Sequence, residues 1–263
     1  VDTKRVHRFG YRWGERPDRK VDLHSLRDGE AFNLIASVFY EEGYLGGEIF
    51  INTPIPEPEN LVPVDDSFLK PSDILLVTTR LPMDDVYSKP RRASCPSYTM
   101  LEAKIFESLR VCFEMCSRDM IKLARFLADR LPQKYADRAQ IQFRQNQSAD
   151  YLFVRSHEKA RWREFEEGRR TALFLIFLAE PWPNGPQLLA AFGVGGNETL
   201  FWARLLTTRL RKELEIRSSR FVMAEMKQGR IPRRPSDLRF VDDWEVRMLL
   251  NVPIEEATFR RAS

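Results

Sequence analysis

Cysteine and histidine are scarce, with three of each in 263 residues. Cys95, Cys112 and Cys116 form an odd set, and Cys112 and Cys116 stand one helical turn apart within an apolar pattern. A disulfide framework is therefore not expected, and the chain reads as intracellular. His7, His24 and His157 are scattered and no zinc spacing occurs, so neither a transition-metal site nor any other cofactor is expected. Long apolar runs are missing too: Thr171 to Ala179 is the most apolar stretch and falls far short of the roughly 20 residues of a membrane span. No signal peptide is legible from Val1 onward, and the expectation is a cytoplasmic protein with no membrane association.

What is present is the composition of an ordinary globular chain, 43% hydrophobic and 30% charged. A single α/β domain over 1–263 is expected, with residues 1–27 as an N-terminal arm. The arm is rich in Arg, Lys and Asp; the spacing of Phe9, Tyr11 and Trp13 suits a short half-exposed strand, and these rings either anchor the arm to the body or stack on bases. Lys plus Arg number 42 against 38 Asp plus Glu. Arginine pairs occur at Arg91-Arg92, Arg169-Arg170, Arg233-Arg234 and Arg260-Arg261. Guanidinium groups pair phosphate bidentately, so a polyanionic partner is one reading, and a solvated mixed-charge surface is the other.

Hydrophobic periodicity places a helix over Asp28 to Glu42 with its stop at Gly43, and a long helix over Ser97 to Leu131 that carries Cys112 and Cys116 on its apolar stripe. Short strands are expected at Glu48 to Thr53 and Tyr151 to Val154. Continuous apolar runs at Asp73 to Arg80, Thr171 to Ala179, Leu188 to Phe192 and Ser219 to Met226 read as buried strands. Ser156 is positioned to cap a charged helix through Arg170, in which Lys159, Arg161, Arg163, Arg169 and Arg170 alternate with glutamates. That helix is either a solvated face or a tracker of phosphates. Strands alternating with helices argue for a Rossmann-like, mainly parallel sheet with helices on both faces.

The candidate site lies in the last third. Leu188 to Phe192 runs into Gly193-Val194-Gly195-Gly196, and Asn197-Glu198-Thr199 then opens a helix. This offers backbone N–H groups at a helix N-terminus, where Asn197 or Thr199 can cap and Glu198 sits near the positive end. It is not a Walker A loop, since no Lys-Ser/Thr follows, and Glu198 stands where a dinucleotide fingerprint needs its third glycine. Nor is it a nucleophile elbow, because Gly195 occupies the serine position. As a substrate-contacting loop it would use Gly193, Gly195, Gly196, Asn197, Glu198 and Thr199. Downstream, Glu225 ends an apolar strand, and Asp242, Asp243 and Glu245 surround Trp244. If that segment is helical, Asp242 and Glu245 share a face at i,i+3, as an anionic pocket or proton-transfer pair; otherwise they are acids suited to a helix dipole. Glu225-Met226-Lys227 also spells half of a Mg-dependent PD-(D/E)xK nuclease site, whose further acid would have to come from Glu213 or Glu215.

Phe240-Val241-Asp242-Asp243-Trp244-Glu245 resembles the acidic DDxxE motif of the fungal arginine-containing cyclodipeptide synthases, with the glutamate one position early. The resemblance implies a fold like the catalytic domain of class I aminoacyl-tRNA synthetases. It also implies a tRNA-dependent cyclodipeptide synthase, joining an arginyl group from arginyl-tRNA to an aminoacyl group from a second charged tRNA without ATP or metal. Glu225, Asp242, Asp243 and Glu245 would then be catalytic, with Trp244 and the glycine turn against substrate. Lys159 to Arg170, together with Arg230, Arg233 and Arg234, would grip tRNA phosphates. The alternative is a non-enzymatic RNA-binding or scaffolding protein using the same basic segments. Convergence of the four acids beside the glycine turn is what the enzyme reading requires.

Overall fold

The computed structural model describes residues 3–11, 23–52, 68–79, 101, 104–105, 107–113, 115–116, 164–165, 168–193, 196–228 and 245–255. Its strands are β1 (Arg5–Tyr11), β2 (Leu45–Asn52), β3 (Ile74–Val77), β4 (Glu164–Phe165), β5 (Gly168–Leu178), β6 (Gln187–Gly193), β7 (Arg220–Gln228) and β8 (Glu245–Pro253). The helices are α1 (Leu23–Glu41), the helical residues between 101 and 116 grouped as α2, α3 (Gly196–Thr207) and α4 (Arg211–Glu215). The strands form one sheet in the order β2-β1-β3-β6-β5-β7-β8, with β4 paired to β5.

Alternation along the strands divides the core into two clusters. Leu75, Val77, Phe174 and Ile176 face Leu101, Ile105, Leu109, Cys112 and Phe113 of α2. Ile74, Leu76, Leu173 and Leu175 face Ile35 and Phe39 of α1 and Leu200, Trp202 and Leu206 of α3. Helices thus cover both faces, as expected of an α/β chain whose strands are apolar on both sides. Burial pushes the Cys112 thiol well above its ordinary range, with Cys116 adding to the effect, so both are packing residues.

The sheet is mixed rather than mainly parallel. β1 is parallel to β2 and β3, and β3 to β6, but β5 is antiparallel to β6 and β7, and β7 to β8. The connection decides this between β5 and β6. Residues 179–186 are too few for the crossover that a parallel pair needs, so the chain returns as a hairpin. In that turn Trp182 lies over Gly185, where a Cβ would come within 2.3 Å of the indole. Ser108 of α2 donates a hydrogen bond to the Pro181 carbonyl at 3.1 Å and locks the turn to the helix layer.

α1 ends as its sequence dictates. Gly43 has φ +89, and the Tyr44 N–H donates to the Phe39 carbonyl at 3.0 Å while the Phe39 and Tyr44 rings meet edge to face. Part of the expected arm behaves otherwise: residues 5–11 are β1, inside the sheet between β2 and β3, with Val6 and Phe9 buried. A short half-exposed strand was expected there, but its polar residues concealed the interior position, because His7 finds its partners only across the sheet. Residues 164–165 and 168–170 are strand, not the end of a charged helix, with Phe165 paired to Gly168 and Glu164 to Arg169 in antiparallel register. Residues 245–253 are likewise strand. The expected strand at Tyr151 to Val154 and the far end of the long helix, beyond residue 116, lie outside the described residues. Among the described residues no helix is long and apolar enough to cross a membrane.

Candidate functional site at the carboxyl edge of the sheet

β1, β2, β3, β6 and β7 run one way and β5 and β8 the other. One edge of the sheet therefore collects the ends of β1, β3, β6 and β7 and the beginnings of β5 and β8. Thr78 and Thr79 after β3, Gly193 at the end of β6, Glu225 near the end of β7, and Arg169 and Arg170 at the start of β5 all belong to this edge. In open α/β sheets ligands bind outside the carboxyl ends of the strands, so this edge is where chemistry is expected.

The glycine turn is built by close approach. A Cβ on Gly193 would lie 2.4 Å from Glu198 Cβ and 2.9 Å from the Glu198 carbonyl carbon, so only glycine lets α3 start where it does. The Gly193 N–H donates to Thr199 Oγ1 at 3.0 Å, and Thr199 is buried, so this hydroxyl ties the strand to the helix. Gly196 begins α3, and Glu198 lies in its first turn, where the helix dipole favours a carboxylate. Asn197 Oδ1 is buried without a hydrogen-bond partner among the described residues. Further along α3 the Trp202 indole donates to the Phe174 carbonyl at 2.9 Å, fixing the helix on β5.

Glu225 is buried at 7% exposure, with Ala172 of β5 and Arg247 of β8 as its register partners. Glu245 opens β8 opposite Lys227, and Arg170 pairs with Lys227 on the other side. Glu225 and Glu245 thus share the carboxyl edge, in adjacent strands. β5 alone separates Glu225 from Gly193, a gap of two strand spacings or about 10 Å. Because Glu245 begins a strand, an i,i+3 helical pairing with Asp242 does not apply to it. Asp242, Asp243, Trp244, Gly195, Lys159, Arg161, Arg163, Arg230, Arg233 and Arg234 lie outside the described residues.

The acids that a nuclease reading would draw on are elsewhere. Glu213 and Glu215 are on α4, and Glu213 Oε2 pairs with Arg220 Nη1 at 2.5 Å where β7 begins. Arg220 and Glu225 are five positions apart on an extended strand, about 17 Å, so Glu213 and Glu225 cannot share one metal. Among the described residues, no group of three or more His, Cys, Asp or Glu is placed to hold a metal ion.

A second part of the edge was missed from sequence. Arg8 of β1 lies on the α1 side, its guanidinium 5.5 Å from the Phe32 ring centroid and against Gly29. Burial pushes its pKa below the ordinary arginine range, while the nearby Asp28 carboxylate acts in the opposite sense. Arg8 Nε is buried without a hydrogen-bond partner. Beside it, buried Thr78 donates to the Asp28 carbonyl at 2.8 Å, and Thr79 and Gly10 complete the wall. The available signal was an arginine between Val6 and Phe9, both suited to burial, followed at once by a glycine. Comparison of the chain with protein-family models, with curated proteins and with solved structures finds no match.

Proposed function

We propose that the chain is an aminoacyltransferase of the cyclodipeptide synthase type, working at the carboxyl edge of its sheet. It would join an arginyl group from arginyl-tRNA to a second aminoacyl group, and access to charged tRNA makes the cytoplasm its place of action. The observation that carries the reading is Glu225, a carboxylate buried near the end of β7, with Glu245 opening the adjacent strand at the same edge. A buried carboxylate there is suited to receive an arginyl guanidinium or to move a proton from an attacking amine. The glycine turn begins at Gly193, about two strand spacings away, and Arg169 and Arg170 stand where β5 enters the edge. The parallel group β2-β1-β3-β6, with helices on both faces, supports a Rossmann-like ancestry for this half.

The test is expression of the 263-residue chain in a bacterial host, with mass spectrometry of the medium for arginine-containing cyclic dipeptides. The parent is expected to yield product, and Glu225→Gln to lower the yield by about 100-fold or more, the scale of a lost acid–base group. Absence of product from a folded parent overturns the reading. Full activity of the Asp242→Ala/Glu245→Ala double variant removes those two acids from the mechanism. Tight tRNA binding without product would favour the non-enzymatic RNA-binding alternative.

A further inference from the structure

β1 is where the sheet changes direction. The chain leaves β1 through α1 to reach β2 on one side, whereas β3 lies on the other side and is followed by α2. α1 packs on the face of Ile74 and Leu76, and α2 on the face of Leu75 and Val77. Connections that depart to opposite faces leave a crevice between the carboxyl ends of β1 and β3, the switch point at which open α/β sheets take their ligands. Arg8, Gly10, Asp28, Gly29, Thr78 and Thr79 lie there.

Their geometry has a common focus. A single point one bond from the Gly10 Cα, where a side chain would start, lies 3.5 Å from Thr79 Oγ1, 3.8 Å from Arg8 Nε and 3.9 Å from Arg8 Nη2. Three donors thus gather along the flank of Gly10, where the absence of a side chain lets a ligand approach them. One of them, Arg8 Nε, is buried with no acceptor. A buried N–H without an acceptor is costly to maintain, and the guanidinium fork matches a planar pair of oxygens. We propose that this crevice is an oxyanion site, holding a phosphoryl or carboxylate group on Arg8 and Thr79 with Gly10 as its floor. The Phe32 ring lies 5.5 Å from the guanidinium carbon, within cation–π range. Asp28 offsets the charge of Arg8, so recognition relies on hydrogen-bond geometry more than on net charge. The site stands apart from Glu225, four strand spacings or about 19 Å along the sheet, and does not depend on the aminoacyl-transfer reading.

The test is thermal unfolding and calorimetric titration of the full chain with sodium phosphate, sodium acetate, and sodium chloride at matched ionic strength. Phosphate or acetate is expected to stabilise and chloride not, and the better of the two identifies the group recognised. Gly10→Ala is the decisive variant, because its Cβ has no neighbour closer than 3.5 Å and so fits the fold while occupying the site. It is expected to weaken binding by about tenfold or more, as is Arg8→Gln, from the loss of charge-assisted bonds. Arg8→Lys, which keeps the charge but not the fork, is expected to bind nearly as poorly. Equal effects of all three salts, or undiminished binding by a folded Gly10→Ala, overturn the proposal.

Discussion

His7 and Arg8 are neighbours on one strand and face opposite sides of one sheet, yet their surroundings differ in kind. The His7 ring is 1% exposed and has both nitrogens engaged. Glu48 N–H donates to Nδ1 at 3.0 Å, which fixes the neutral ring as the Nε2–H tautomer, and Nε2 lies 3.3 Å from Asp73 Oδ2. Asp73 in turn accepts from the backbone N–H groups of Arg5 at 2.8 Å and Lys70 at 3.0 Å. Even Gly47 belongs to this arrangement, since a Cβ there would come within 2.6 Å of the imidazole. Arg8 has an aromatic ring, a nearby carboxylate and a buried Nε–H without an acceptor. The lesson is that a buried polar group completed by its own chain holds the fold, while one left incomplete at a switch point is available to something else.

Breaking the completed side should cost most. Asp73→Ala strands His7 Nε2 and two backbone donors in a buried setting, and a loss of about 3–5 kcal/mol is expected in urea denaturation. A loss below about 1 kcal/mol would show that water replaces the carboxylate and that the network is not integral to the fold. Next come the two glycines at the carboxyl edge. Gly193→Ala drives a methyl into Glu198 and should cost about 1–3 kcal/mol, whereas Gly10→Ala should cost less than about 1 kcal/mol. Equal costs would erase the distinction between a glycine needed for packing and one that leaves a vacancy.

Arg8 supplies the sharpest sign. Replacing it with methionine removes a desolvated charge while keeping its apolar stem, so stability without ligand should rise by about 0.5–1 kcal/mol. A fall of that size in the melting experiment would mean that Arg8 supports the fold as His7 does. The smallest effect belongs to an ordinary surface pair. The Arg110 hydrogen bond holds the Glu107 carboxyl below its ordinary value of 4.5, with Arg110's charge helping and desolvation opposing. A depressed carboxyl stabilises above its unfolded value and loses that contribution as pH falls through the folded one. Glu107→Gln should therefore lower stability only slightly at pH 7, and its difference from the parent should vanish at strongly acidic pH.

The sequence made the apolar elements plain and concealed the polar ones. β3, β5, β6 and β7 are continuous apolar runs, and α1 closes on its glycine, so local pattern and tertiary environment agree there. The interior place of β1 was hidden because His7 and Arg8 are polar residues inside a sheet, and the partners that license them, Asp73 and Asp28, are distant in sequence. The charge spacing before Arg170 mimics helical ion pairs, yet Phe165 and Gly168 are paired strand residues. At the candidate site, the closeness of Gly193 to α3 was legible, and Glu225 was placed on the right strand although β7 continues past it to Gln228. The unaccepted Nε–H of Arg8 was not legible, since an unmet donor is a property of the packed chain.

The mixed sheet also implies an order of assembly. β5 and β6 are joined by residues 179–186 alone, so their pairing closes a short loop. β1 and β3 come together across a separation of 68 residues, marked by the Arg5 to Asp73 hydrogen bond. Loop-closure entropy favours the hairpin, so the antiparallel half is expected to form early and β1 to insert late. Mutations around Asp73 should then act chiefly on the unfolding rate, and the crevice at Arg8 would come into being only with the final closure of the sheet.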